Sequence, residues 1–357
     1  MASGCYLFHE DHIPEKAAFP VVDAHNHMWA NVDVDRLLEV MDTVGVASYC
    51  DLTAGSRVAW VKGGCLMREA PIEEFLEQCA GRHPGRFYGF TTATFARPVD
   101  EPLFDDPDSF VEETVELLRR HVGWGARGLK IMKSLGLQYR DSAGGLVALD
   151  APALSPIWQA AGTLGVPVLI HTSDPYGFFE PDTPENEHHD SLQKYPSWAF
   201  ADPKFPRKTE LLRRRDNLIR RHGETVFILA HVANFAENLK YVAGLLDENP
   251  NTYIDFSARI DELGRQPRAA REFFIRYQDR ILFGTDMPGS AEIYRCYFRF
   301  LETFDEYFIP PDYDGTFGRF RWRIHGLGLP KDVLAKVYYR NALKLIPGLK
   351  DDLKTRV

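Results

Sequence analysis

The chain has 357 residues, 45% of them apolar, a formal charge of −9 and a pI near 5.8. That length and apolar content suit one large core. The acidic balance speaks against general nucleic-acid binding and against an anionic membrane surface, since both favour a basic face.

The opening MASGCYLFHEDHIPEK lacks the apolar centre of a secretory signal, and no run approaches a transmembrane helix in length, so a cytoplasmic protein is expected. Cys5, Cys50, Cys65, Cys79 and Cys296 are odd in number and form no CxxC. Reduced thiols are expected rather than a disulfide framework or a thiolate zinc site.

Short β-branched or aromatic runs alternate with amphipathic stretches. Pro20–Ala24 reads as a first strand and Val34–Val44 as the helix after it, with Leu37, Leu38, Met41 and Val44 at helical spacing. Strand Gly45–Leu52 precedes helix Ile72–His83, and strand Arg86–Phe95 precedes helix Ser109–His121. Strand Ala126–Met132 leads to helix Ser155–Leu164, whose Ser-Pro start suits a cap and first turn. Strand Val166–Ile170 is followed by helix Leu211–His222, and strand Thr225–Ala230 by helix Glu237–Asn249. Thr252–Phe256 and Ile281–Phe283 complete the strands, with helices Arg268–Tyr277 and Ile293–Phe304 behind them and a closing helix at Asp332–Leu345.

Eight strand–helix units are the count of an α/β fold of the (β/α)8 TIM-barrel type. A doubly wound open sheet is the rival, but the Gly-rich first turn it uses for nucleotides is replaced here by His-Asn-His. The chain, 1–357, reads as one domain with its barrel core at about 20–346. Thr172–Lys208, with six prolines, is a long insertion after strand five, expected over the C-terminal mouth. Asp305–Leu329 is expected to cap the barrel or form a subunit interface, ahead of an extra C-terminal helical segment.

The chemistry begins at VVDAHNHMWA, residues 21–30. Side chains two apart on a strand share a face, so Asp23, His25 and His27 are expected to point the same way. VPVLIHT ends strand five on His171, TVFILAHV ends strand six on His231, and ILFGTDMP ends strand eight on Asp286. A single histidine at a strand end is more often a hydrogen-bonded core residue than a ligand. Several at one end of a barrel converge, and three His with a carboxylate suit Zn²⁺, Mn²⁺ or Fe²⁺. Asp23 is read as a ligand, as a carboxylate orienting an imidazole, or as a bond to the barrel backbone.

GLKIMKS on strand four holds Lys130 and Lys133, which a regular strand places on opposite faces. An inward lysine would attract an anionic substrate or pair with a barrel acid. Arg259, just past strand seven, would fork onto a substrate carboxylate or pair with Asp261 or Glu262. Trp29 would wall the site or pack the first loop. His188-His189 reads as loop surface or lid, and Arg213-Arg214-Arg215 as a solvated helix face.

The strings DAHNHMW, PVLIHTSDP, ILAHV, RILFGTDMP and VYYRNALKLI together resemble the amidohydrolase superfamily. Within it they resemble the branch with aminocarboxymuconate-semialdehyde decarboxylase, resorcylate-type decarboxylases and several lactonases. The resemblance implies that His25, His27, His171 and Asp286 bind one divalent metal, usually zinc, with manganese or iron as alternatives. It implies that His231 positions or deprotonates a water or polarises the substrate, with Asp286 as base, ligand or both. Some members hold two metals bridged by a carbamylated strand-four lysine; a substrate-facing lysine is preferred here. The expected function is a metal-dependent hydrolase acting on a small polar lactone, ester or amide that bears a carboxylate. The alternative is non-oxidative decarboxylation of an aromatic or dienoic acid, and a barrel that binds without turnover ranks last. The expected partner is a small anionic molecule, with a homo-oligomer also compatible.

Overall fold

The computed structural model describes residues 10–28, 32–61, 64–310 and 322–350, with the backbone alone for 58–61 and 64–68. Trp29 and Cys5 lie outside the described residues, as does the side chain of Cys65. The three described thiols, Cys50, Cys79 and Cys296, are free and buried.

Eight short parallel strands form the centre: β1 Val21–Asn26, β2 Val46–Asp51, β3 Phe87–Gly89, β4 Leu129–Ile131, β5 Val168–Ile170, β6 Phe227–Leu229, β7 Thr252–Asp255 and β8 Ile281–Leu282. They pair in chain order as β1-β2-β3 and β4-β5-β6-β7-β8. A parallel bridge from Thr91 to Leu129 joins the two groups. The other seam closes through Ala24 N–H to the Phe283 carbonyl at 2.9 Å and Asp286 N–H to the His25 carbonyl at 2.8 Å. The sheet therefore closes into a TIM barrel.

Alternation along the strands divides the core in two. Val168, Ile170, Leu129 and Ile131 face outward into the helix layer. Val22, Ala24, Cys50, Leu169, Ile228 and Leu282 fill the interior, and Ala342, Ile346 and Leu349 plug its floor. Burying each such aliphatic side chain contributes about 1.5–3 kcal/mol.

The helices begin and end where local chemistry dictates. Val34–Val44 occurs as expected: the Asp33 carboxylate accepts from the amides of Asp35 and Arg36, and Gly45 terminates it at φ 90°. Pro107–Trp124 starts before the expected Ser109 because Asp106 caps it and Pro107 suits the first turn.

Several expectations need correction. The third strand is not the long run Arg86–Phe95: it stops at Gly89, and Ala93–Phe95 forms a 3-10 turn after Thr91 accepts the Ala93 amide. An antiparallel hairpin, Ser56–Val61 with Gly64–Glu69, interrupts the second connection. Its Gly-Gly at 63–64 is a turn signal that sequence reasoning passed over. The Arg213-Arg214-Arg215 triplet is not a uniform solvated face. Arg215 is fully buried, bonding Asp216 and the Ala233 carbonyl.

The insertion after β5 is built from three short turns, Tyr176–Phe179, His189–Lys194 and Pro196–Trp198, around Leu137, Phe178, Leu192, Phe200 and Leu211. Late in the chain, Lys331–Leu345 is helical in three consecutive runs. No described helix is long and apolar enough to cross a membrane.

Candidate active site at the barrel mouth

The polar strand ends meet at one rim. His25 from β1, His231 from the end of β6 and Asp286 just past β8 offer ligand atoms that all lie within 4.8 Å of one another. The Asp286 carboxylate is 3.9 Å from His25 Nε2, 3.7 Å from His231 Nε2 and 3.3 Å from His27 Nε2. Gly284 permits the approach, because a Cβ there would stand 2.7 Å from His25 Cβ.

The hydrogen-bond network assigns the ring protons. The Ser257 carbonyl only accepts, so His231 Nδ1–H donates to it at 2.8 Å and Nε2 keeps its lone pair. Asp255 accepts from His25 Nδ1 at 2.8 Å, which leaves His25 Nε2 unprotonated as well. The Ser257 hydroxyl donates to Asp255 and sits 3.0 Å from the Nδ1 atoms of both rings. Thr53 donates to Asp51 and takes the His27 Nδ1 proton at 3.0 Å, turning the His27 Nε2 lone pair toward Asp286.

Two imidazole lone pairs and a carboxylate, those of His25, His231 and Asp286, therefore face a common centre, His27 stands outside this group and reaches it only through Asp286, and His231 Nε2 is buried without a partner. Such a set repels itself unless positive charge lies within it, so the residues present fit a divalent cation. Burial, then Lys130, depresses the His25 pKa; burial, then His171 and Arg259, depresses that of His231. Both rings are thus held neutral, as ligation requires. Burial opposes charge on Asp286, but His25, His27 and Lys130 outweigh it and keep its carboxyl well below the usual range.

His231 is aimed by unusual backbone. His231, Val232, Ala233 and Asn234 have φ of 58°, 56°, 52° and 55°, four left-handed residues in succession. The His231 amide is tied to Asp255 at 3.1 Å. Such residues cost of order 1–3 kcal/mol each and persist where surrounding structure over-determines them. Asp286, at φ 52°, shares the feature.

The other expected residues lie as follows. His171 rests against His231, ring centroids 4.5 Å apart, but its Nε2 is 3.3 Å from Asp174 and it stands outside the three-residue group. Asp23 does not share the histidine face. The β1 register shifts between Asp23 and Asn26, so its carboxylate bonds Asn26, Thr285 and Tyr294, and burial raises its pKa to about 6. Lys130 is fully buried with Nζ 3.4 Å from His25 Nε2, and burial lowers its pKa to about 8. The strand alternation does not reach Lys133: β4 ends at Ile131, and Lys133 lies in the turn after it, paired with Asp174. Arg259 is half-buried and bonds the Ala258 carbonyl. His188 is buried rather than surface, packed edge-on against Phe178 and Trp322, whereas His189 pairs with Asp182.

Asp255, Ser257, Thr53 and Asp174 escaped sequence reasoning. Asp255 had a signal: TYIDFS is another apolar run ending in a carboxylate.

A model of the Amidohydrolase family matches residues 22–348. Among solved structures, 2,6-dihydroxybenzoate decarboxylase from Rhizobium is similar at 16% identity, over 94% of this chain and 99% of that one, with a TM-score of 0.55. A dihydroxybenzoic acid decarboxylase from Polaromonas sp. JS666, with bound manganese and the inhibitor 2-nitroresorcinol, is similar at 16% identity, 94% and 99% coverage and a TM-score of 0.57. The TIM-barrel protein Bb4693 from Bordetella bronchiseptica is similar at 14% identity, 88% and 82% coverage and a TM-score of 0.52. At these identities the likeness is one of fold. No curated protein matches the chain. With the family model spanning nearly the whole barrel, the chain belongs to the amidohydrolase family.

Proposed function

We propose that the protein is a metal-dependent, non-oxidative decarboxylase of a small aromatic or dienoic carboxylic acid. One observation carries the reading: among the described residues, two cations at the mouth stand outside any ion pair. Among the described residues, Lys130 and Arg259 have no carboxylate within the 4.0 Å of an ion pair. A buried lysine and a half-buried arginine left so are suited to an incoming carboxylate. The two decarboxylases of similar fold, from Rhizobium and Polaromonas, support the same reaction class.

His25, His27 and Asp286 would hold one divalent ion, zinc by donor type with manganese or iron as alternatives, with His171 flanking them and His231 beside it, Nε2 left free for a proton. When bound, that ion supplies Lewis-acid charge to substrate oxygen. Arg259 forks onto a carboxylate and Lys130 adds a second positive charge. Loss of CO2 leaves an electron pair on carbon, which must gain one proton. His231 at Nε2 and Asp286 at a carboxylate oxygen are the groups that hold and pass it. Asp255 and Ser257 fix the imidazoles so that neither ring rotates during transfer.

Hydrolysis, the reading that sequence ranked first, keeps one supporting observation. The unbonded His231 Nε2 would accept a proton from water equally well. Turnover of candidate acids in deuterated water separates the two. Decarboxylation releases CO2 and leaves one solvent deuteron on product carbon; hydrolysis instead incorporates labelled water oxygen. Retention of full activity after metal removal would reject both.

A further inference from the structure

The regular pairing of β5 with β6 ends at Ile170 opposite Leu229. His171 and His231 stand just past it, ring centroids 4.5 Å apart, where strand pairing no longer fixes their spacing. The Asn234 side chain bridges that gap. Asn234 is 2% exposed and is the last of the four left-handed residues that begin at His231. Its Oδ1 accepts from the Thr172 amide at 2.9 Å, and its Nδ2 donates to the Ser173 carbonyl at 2.6 Å. The corner that aims His231 is thereby tied to the stretch that follows His171.

The partners fix the orientation of this amide. A backbone N–H only donates and a carbonyl only accepts, so oxygen faces Thr172 and nitrogen faces Ser173. The hydroxyls of Thr172 and Ser173 are buried and, among the described residues, make no hydrogen bond, so they do not tether the stretch themselves. That stretch also separates His171 from Asp174, whose carboxylate is 3.3 Å from His171 Nε2. The corner is braced from behind as well. The carbonyl of the Ala233–Asn234 peptide accepts from the fully buried Arg215 guanidinium, which Asp216 holds at 2.8 and 3.0 Å. The Tyr241 hydroxyl donates to the same Asp216 carboxylate.

We propose that Asn234 is a positioning residue, a strut whose side-chain amide sets His231 against His171 so that His231 Nε2 stays aimed at the reaction centre. This rests on the decarboxylase reading for the proton that His231 passes, whereas the geometry of the strut stands apart from it. Left-handed backbone persists only where its surroundings over-determine it, and here the determining bonds come from Asn234, Arg215 and Asp255. Glycine and asparagine visit this conformation most readily, and of the two only asparagine carries an amide to reach the next strand. A group that transfers a proton loses rate steeply when displaced, by up to about 10²-fold for about 1 Å.

The test uses the zinc-loaded full chain carrying nitrogen-15 histidine, with the His231→Asn spectrum assigning the His231 signals. In the wild type the protonated Nδ1 and the bare Nε2 should give two well-separated nitrogen resonances. Asn234→Gly removes the strut while glycine keeps φ 55° without steric cost. In that variant the two resonances should draw together as the ring exchanges tautomers. CO2 release from a panel of mono- and dihydroxybenzoates is measured beside the spectra. The variant should lose about 10–100-fold in kcat with KM held within about two-fold. Asn234→Asp keeps the acceptor for Thr172 and changes the donor to Ser173, so it should fall between the two. If Asn234→Gly does not fold, Asn234→Asp decides by the same readouts.

Wild-type His231 nitrogens that are already averaged overturn the strut. So does a variant whose His231 signals or kcat stay at wild-type values, even with a lowered melting temperature, because Asn234 would then serve stability alone. Wild-type CO2 release together with an unchanged variant overturns the strut and leaves the decarboxylase standing. Merged His231 signals in the variant, without CO2 release by the wild type, keep the strut and sink the reaction. Unchanged signals and no CO2 release overturn both.

Discussion

The two ends of this barrel are built to opposite rules. At the floor, Val22, Leu169, Ile228 and Leu282 meet Ala342, Ile346 and Leu349 in a purely apolar plug. At the mouth, a few residues higher on the same strands, His25, Lys130, His231 and Asp255 are buried to the same degree. Burial at the floor stabilises; burial at the mouth costs stability and tunes chemistry, by keeping imidazoles neutral and lysine poised. One strand serves both rules because its polar residue comes last.

The sharpest way to break the contrast is His231→Asn. Asparagine tolerates left-handed backbone, so the fold should survive with an unchanged circular dichroism spectrum while kcat falls about 10³-fold. At the floor, Ile228→Ala should do the reverse. Denaturant titration should show a loss of about 2–5 kcal/mol with KM unchanged. Asp255→Asn probes the boundary. Removing the acceptor of His25 Nδ1–H should weaken metal binding about 10–100-fold, read by competitive chelator titration, with a small change in melting temperature.

The smallest effect concerns Lys208, buried on the insertion side with its ammonium donating to the Asp174 carbonyl. Burial lowers its folded-state pKa to about 8. The unfolded chain, with an ordinary lysine near 10.4, binds more protons between these values, so stability rises with pH across that window. The wild type should therefore gain on Lys208→Met between pH 8 and pH 10, by at most about 1.4 kcal/mol per pH unit in urea titrations.

The barrel was legible because each outer helix and each strand carries its own period, and the site was legible wherever an apolar run ended in a polar residue. Relations between strands were not. That β1 shifts register after Asp23 depends on its pairing with β2, and the shift sends Asp23 to Tyr294 while His25 looks inward. That His171 bonds Asp174 depends on the course of the insertion. Arg215 is buried because the His231–Asn234 turn presents the Ala233 carbonyl to it, which no helical period reveals.

That left-handed corner carries a further consequence. Val232 and Ala233 would sit more comfortably as glycines, yet both are fully buried, so packing of their side chains holds the corner that aims the imidazole. A lineage selected only for ruggedness under heat would be expected to relax the corner early, and the ring it aims would then wander. Hardiness and turnover are set against each other in four consecutive residues.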